Sequence, residues 1–420
     1  MTDTIPRIMT AIQLTRLTVA FGAISDLWFV ILLTRAGMAG GPAVVDGRGA
    51  GGLAGRSAGG VAGDRTAEGA VRSIEGASGN VAGDGVADGI GDAVDGGVAG
   101  VDGLLDGAGG VLGNGLVDGA SRGTANGIVE RLADGAAASP TGIAVIDMPL
   151  SSALAAGAIV AVGLFAYGAS LNDVLDVRHD STFSPDRPIP AGRIGHTQAM
   201  VLTVGALIVA VLGAAWISTW SVCITLLVAA GLLFYNATGK YIPAAGVITL
   251  GLIHAAHMFI PNDQLAFTWP VWLVMTHAVG IAAAVHVLEQ KRPRFDRRGV
   301  ILAVTGWLFW SLILLWVARV GGGEWPADIP AWRSAIPLVV GLSFILVVRW
   351  KTAKVSGKPA AEKVRRYGAM WQSLYGAAWL LALGLEQAAL WIGLFALGGF
   401  GLMTLIKEVT GLSGKPVAYR

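Results

Sequence analysis

Between Asn172 and Gly192 the chain reads NDVLDVRHDSTFSPDRPIPAG. An apolar run, Leu150 to Leu171, stops where this stretch begins and charge takes over. If the run continues as helix for one more turn, Asp173 and Asp176, at i and i+3, share a face. Asp180 then follows on the same side, before Pro185 and Pro188 break the helix. Three carboxylates at a membrane-helix end are costly unless something cationic neutralises them. Mg²⁺ is the natural candidate, because it takes hard oxygen ligands and is usually shared with substrate phosphates. Arg178, Arg187 and Arg193 flank the carboxylates, placed to grip the same phosphates.

The stretch closely resembles the first signature of the UbiA superfamily of intramembrane prenyltransferases, NDxxDxxxD followed by DRPxPxG. The matching residues are Asn172, Asp173, Asp176 and Asp180, then Asp186, Arg187, Pro188, Pro190 and Gly192. A bare DxxxD would be weak; the full set at the end of an apolar run is specific. The competing reading is a solvated acidic helix end whose arginines satisfy the positive-inside preference.

The resemblance implies two further sites. Relatives carry a second aspartate motif, commonly DxxDxxxD, in the loop that here reads EQKRPRFDRRG. The matching positions are Glu289, Arg292 and Asp296, so the outer carboxylates keep their spacing and the central one has become arginine. Glu289 and Asp296 can still ligate an ion, and Arg292 can replace a second ion's charge on phosphate oxygens. Equally, Arg292 can signal weakened or lost catalysis, and the loop taken alone reads as a basic turn. In YNATGKY, which holds Tyr235, Asn236, Lys240 and Tyr241, the lysine resembles one that approaches the diphosphate. An interfacial anchor with belt tyrosines is the alternative.

Elements that position these residues follow from composition. The chain has 420 residues, is 54% hydrophobic and only 14% charged, and repeats apolar runs of membrane-spanning length. That makes an all-α, polytopic membrane bundle rather than soluble domains. Candidate spans are 9–33, 148–171, 196–217, 219–236, 243–261, 268–288, 299–320, 332–350, 368–385 and 387–406. They number ten, or nine if the last two merge. A cleavable signal peptide is the rival for the first, but the run is long for one and Asp26 interrupts it. The segment Arg16 to Thr18 resembles the start of UbiA-type first helices. A lone cysteine, Cys223, excludes a disulfide framework.

Four regions result: 1–36, an N-terminus with the first helix; 37–142, an insertion; 143–407, the UbiA-like bundle; and 408–420, a tail. The insertion carries about half of the 61 glycines, 13 acidic and 6 basic residues, and no lysine or aromatic residue. Ordering so much glycine costs entropy that little apolar surface offsets, so low-complexity disorder is expected. A calcium-binding glycine–aspartate solenoid is disfavoured because its strict repeat unit is missing.

Basic residues fall in 172–195, YNATGKY, EQKRPRFDRRG and RWKTAKVSGKPAAEKVRRYG, while the alternating connections contain one arginine. All four basic connections therefore share one side, the cytoplasm, in what reads as a bacterial inner membrane. Histidines 254, 257, 277 and 286 lie on consecutive apolar runs. With no HExxH or ExxH pattern, they read as helix contacts or the lining of an acceptor pocket rather than as a metal site.

The function implied by the resemblance is Mg²⁺-dependent transfer of an isoprenyl group from a prenyl diphosphate to a membrane-soluble acceptor, aromatic or lipid. No nucleic acid partner is expected, and the oligomeric state stays open. Asp173, Asp176 and Asp180 would form the first metal site, oriented by Asn172, with Glu289 and Asp296 the second half. Arg178, Arg187, Lys240 and Arg292 would meet the diphosphate. Three rivals are weighed against this: a UbiA-like protein that binds or moves a prenylated lipid, motivated by Arg292; a secondary transporter; and a CDP-alcohol phosphotransferase, whose DGxxAR core is absent.

Overall fold

The computed structural model describes residues 20–39 and 144–412. Nearly all of the glycine-rich insertion, the Arg16–Thr18 segment and the last eight residues of the tail lie outside the described residues. Every regular element among those described is a helix. In chain order they are α1 (Phe21–Arg35), α2 (Ala144–Asp147), α3 (Leu150–Leu175), α4 (Val177–Phe183), α5 (His196–Ile217) and α6 (Thr219–Ala237). After a 3₁₀ turn, Gly239–Tyr241, come α7 (Pro243–Met258), α8 (Trp269–Leu288) and α9 (Arg297–Val320). A second 3₁₀ turn, Ala331–Ser334, precedes α10 (Ala335–Thr352), α11 (Gly357–Ala382) and α12 (Glu386–Leu412).

The ends of these helices follow local chemistry. Ser218 caps α6 by accepting from Ser221 N–H at 3.0 Å, and Asp296 caps α9 by accepting from Gly299 N–H at 2.6 Å. Proline opens α7 and α8, where its missing donor costs nothing. Between α11 and α12, Gly384 adopts φ +81°, and the N–H of Leu385 returns to Leu380 O at 2.9 Å. That glycine turn keeps the last two apolar runs as separate helices.

Six helical segments are long and apolar enough to cross a membrane: α3, α5, α6, α8, α9 and the stretch Ala331–Thr352 that ends in α10. Two shorter apolar helices, α7 and Glu386–Leu402, join them. The remaining two runs read from the sequence correspond to α1, described over 15 residues, and α11. The first turns of α11 carry Lys358, Glu362, Lys363, Arg365 and Arg366, which dilutes its hydropathy.

The helices divide into inner and outer sets. In α1, Leu27, Phe29, Val30, Ile31 and Leu33 are fully buried, packed against α3, α7, α11 and α12. Along α3, 56% of the best span window is buried; along α9 the share is 11%, and along α10 it is 6%. The outer pair presents Leu302, Leu312, Trp316, Val339, Leu342 and Leu346 outward. A helix so apolar and so bare is solvated by lipid.

Small residues allow α3 and α5 to touch. A Cβ on Gly163 would lie 2.7 Å from Ala210 N, and one on Gly213 would lie 2.8 Å from Ile159 Cγ2. In lipid, where apolar burial gains little, such close approach supplies the dispersion contacts that hold helices together. This seam carries the end of α3 on which the aspartate motif begins.

Candidate active site

The first motif folds as two helices with a joint. α3 ends at Leu175, Asp176 is the joint at φ −91° and ψ 7°, and α4 begins at Val177. The helix therefore does not run through the motif as the spacing alone suggests, and the three aspartates part company. Asp173 and Asp180, both buried, converge on one guanidinium: Arg187 Nη1 lies 3.2 Å from Asp173 Oδ1 and 2.5 Å from Asp180 Oδ2. Asp176 instead meets Lys240, whose Nζ is 2.5 Å from Oδ1. Asn172 holds its amide 3.5 Å from Asp173 Oδ1.

Arg187 is delivered by the DRPIPAG loop, which is tightly folded. Ala191 N–H donates to Arg187 O at 2.9 Å, Arg193 N–H donates to Pro188 O at 3.0 Å, and Gly192 turns the chain at φ +68°. A side chain at that φ is strained, which explains the glycine. The Arg193 guanidinium donates to Asp186 O. Ile189 seals the loop against Val174 and Ala199 of α3 and α5. Arg178 points outward from α4 and is exposed.

Lys240 is held with equal economy. It sits in the Gly239–Tyr241 turn, and a Cβ on Gly246 of α7 would lie 2.7 Å from Gly239 O, so helix and turn are in contact. One turn earlier, buried Asn236 donates to Leu232 O at 2.9 Å and reaches Gly168 O at 3.5 Å, tying α6 to α3.

The second motif centres on Glu289, the residue that ends α8. Its carboxylate pairs with Arg365 of α11 and with Lys291 Nζ at 3.3 Å. Burial pushes this carboxyl up, but Arg365 and Lys291 outweigh that and hold it below the usual range. Gln290 beside it adopts φ 50°, and the N–H of Lys291 reaches back to His286 O at 3.2 Å. This Schellman-type end carries glutamine where glycine is usual. Arg292 is exposed, and Asp296 is exposed and spent on capping α9. Tyr235, in the last turn of α6, lies within electrostatic range of Asp176, Glu289 and Arg365. The two motifs therefore share one end of the bundle.

Spacing did not reveal three polar contacts, two at this end of the bundle and one within it. Arg365 stands out in the sequence only as part of a basic cluster, and Tyr235 only as a belt tyrosine. The third is Asp26, buried in α1, whose Oδ2 accepts from Gln372 Nε2 at 2.5 Å; the same amide nitrogen is 2.9 Å from His254 Nδ1. Of the other histidines, His277 meets Tyr375 Oη and Gly368 O, each at 3.0 Å, and His286 meets Pro293 O at 2.9 Å. His277 thus joins two helices and His286 joins a helix to the loop after it; among the described residues no three histidine, cysteine or acidic side chains gather as a metal cluster.

For Mg²⁺ at the aspartate motifs the donor chemistry fits. Asp173, Asp176, Asp180 and Glu289 supply hard oxygens at one end of the bundle, each already facing a cation. Mg²⁺ commonly takes only one or two carboxylates, with substrate phosphates and water completing its shell, so a preformed cluster is not required.

A family model described as the UbiA prenyltransferase family matches residues 135–366, more than half of the chain. The chain belongs to that family and is an integral membrane protein. It is similar to digeranylgeranylglyceryl phosphate synthases of three organisms. The protein of Saccharolobus solfataricus is 32% identical over 114 residues, 27% of this chain and 40% of the relative. That of Methanothrix thermoacetophila is 35% identical over 86 residues, 20% of this chain and 32% of the relative. That of Sulfurisphaera tokodaii is 26% identical over 132 residues, 31% of this chain and 45% of the relative. The matches thus span less than half of each relative's length. A solved structure of digeranylgeranylglyceryl phosphate synthase aligns with a TM-score of 0.37 and 15% identity, over 62% of this chain and 89% of that one.

Proposed function

We propose that the protein transfers an isoprenyl group from a prenyl diphosphate to a membrane-soluble acceptor. The observation that carries this reading is the set of ion pairs at one end of an apolar bundle: Arg187 between Asp173 and Asp180, Lys240 on Asp176, and Arg365 on Glu289. Cations and carboxylates alternate there, next to helices that would accept an isoprenoid tail. A diphosphate brings negative charge for Arg187 and Lys240, and the carboxylates they release are hard ligands for Mg²⁺.

In the reaction the allylic C–O bond breaks, its electron pair leaves with the diphosphate, and the acceptor's nucleophilic atom bonds to the freed carbon and loses a proton. Bound Mg²⁺, held by Asp173, Asp176 and Asp180 with Glu289 and Asp296 as the second half, would supply Lewis-acid stabilisation of the leaving group. Arg187 and Lys240, turned from their carboxylates to the diphosphate, meet the growing charge with N–H donors. Asn172 keeps Asp173 oriented. Arg178 and Arg292, both exposed, would engage the diphosphate from outside the inner ion pairs. The apolar interior keeps water from the allylic cation.

The relatives' name favours a lipid acceptor carrying glyceryl phosphate over an aromatic one. The basic connections favour a site on the cytoplasmic side of the membrane, in keeping with the reading of a bacterial inner-membrane protein.

A second reading has its own observation. Glu289 is held by two cations, Arg365 and Lys291, and Asp296 caps a helix, which leaves little of the second motif for a metal. In that case the protein binds or moves a prenylated lipid without reaction. Diphosphate release by purified protein with Mg²⁺ and prenyl diphosphates of several lengths separates the two. Release that is lost in Asp176→Ala supports transfer; tight binding without release in the wild type supports the second reading.

A further inference from the structure

On the same end of the bundle, α11 begins with a basic segment of which the prenyl-transfer site uses Arg365 alone. Residues 349–366 read RWKTAKVSGKPAAEKVRR, seven basic side chains against one acid. Where α11 enters, Pro359, Glu362, Lys363 and Arg366 line a cavity of about 160 Å³. Lys363 is anchored there, donating through Nζ to Lys351 O at 2.9 Å.

Arg366 is the unusual member. Its neighbour Arg365 pairs with Glu289, Arg187 with two aspartates, Arg319 with Glu324, and Arg333 lies 3.7 Å from Glu386. Arg366 has no carboxylate within ion-pair distance among the described residues, and its Nε is buried without a hydrogen-bond partner. Two aromatic rings hold it instead: the guanidinium carbon lies 5.4 Å from the centroid of Tyr367 and 5.8 Å from that of Phe400 on α12. Ring contacts fix the plane of a guanidinium and leave its N–H edge unspent. A buried donor left unmade is costly, and an acceptor brought by a ligand would relieve that cost.

We propose that this cavity binds the phosphate of an anionic membrane lipid. Its place matches that ligand. Arg366 lies where the charged start of α11 gives way to its apolar half, the level at which lipid phosphates sit. A basic cleft on the positive side of a membrane protein, here along one face of α11 with Phe400 of α12 beside Arg366, suits acidic head groups, and the planar fork of arginine suits phosphate geometry. The site is independent of prenyl transfer and stands whether or not the protein is a transferase.

The test uses full-length protein in neutral detergent and follows its melting temperature against short-chain phosphatidic acid, short-chain phosphatidylcholine and inorganic phosphate. Wild type should show a saturable rise with phosphatidic acid and little with phosphatidylcholine. Arg366→Gln should lose that rise while melting normally without lipid, Arg366→Lys should keep only part of it, and Arg298→Gln, an exposed arginine at the start of α9, should keep all of it. Should Arg366→Gln fold poorly, Lys363→Gln takes its place and should weaken the response. Equal saturation in wild type and Arg366→Gln overturns the site, as does an equal loss in Arg298→Gln. A full response to inorganic phosphate alone overturns the lipid as its source.

Discussion

Lys240 and Asp176 stand 64 residues apart in the chain, yet their charged atoms are 2.5 Å apart, both side chains being about five-sixths withdrawn from solvent. The pair closes the gap between the turn after α6 and the joint after α3. It also brings the lysine the resemblance singles out onto the central aspartate of the motif. Replacing Lys240 with methionine should lower diphosphate release by about 100- to 1000-fold, the usual effect of deleting one fixed donor to a developing charge. Lys240→Arg should retain part of the activity. Turnover within a factor of a few of wild type in Lys240→Met would remove the residue from the site.

Arg187 and Arg178 look alike in the sequence, and the structure separates them. Arg187 bridges two buried carboxylates, whereas Arg178 is exposed. Arg187→Gln should lose turnover by about 100-fold or more and should also melt lower, because it leaves Asp173 and Asp180 facing each other. Arg178→Gln should change turnover by less than about fivefold, since an exposed charge is seldom worth more than ~1 kcal/mol. Kinetic and melting measurements on the two variants side by side decide it.

For Glu289 the partner is Arg365, on another helix. A double-mutant cycle on Glu289→Gln and Arg365→Gln, read out as turnover, should give a coupling of about 0.5–3 kcal/mol, the range for residues in direct contact. Arg292→Gln combined with Glu289→Gln should behave additively. A coupling at Arg292 larger than that at Arg365 would make Arg292 the functional partner of Glu289 instead.

The α3–α5 seam makes a stability prediction. Gly163→Val has no room against Ala210 and should cost about 1–3 kcal/mol, seen as a lower melting temperature. Gly205→Val, in α5 with nothing within 4 Å of a new Cβ, should melt like wild type. Similar melting of the two variants would show that the helices separate easily.

Much of this site was legible because its chemistry is local. Asn172 through Asp180 and the DRPIPAG loop announce themselves by residue type, spacing and position at the end of an apolar run. Helix order was legible for the same reason, since apolar runs and glycine or proline breaks are properties of short windows. What stayed hidden depends on contacts across the bundle. Arg365 meets Glu289 from 76 residues away, and Asp26 meets Gln372 from 346 away. In the sequence one is a member of a basic cluster and the other a blemish in a hydrophobic helix. The joint at Asp176 was hidden because nothing in VLDVRH breaks a helix; tertiary pairing with Arg187 and Lys240 accompanies the kink.

The bareness of α9 and α10 has a consequence for handling the protein. Here α9 packs on α7 and α8 and α10 packs on α11, each along one side only, so in a membrane an annulus of lipid would cover the rest of their surface. Stripping it with a short-chain detergent should loosen α9 and α10 first, while the tightly seamed α3–α5 pair, and the aspartates mounted on it, keep their register.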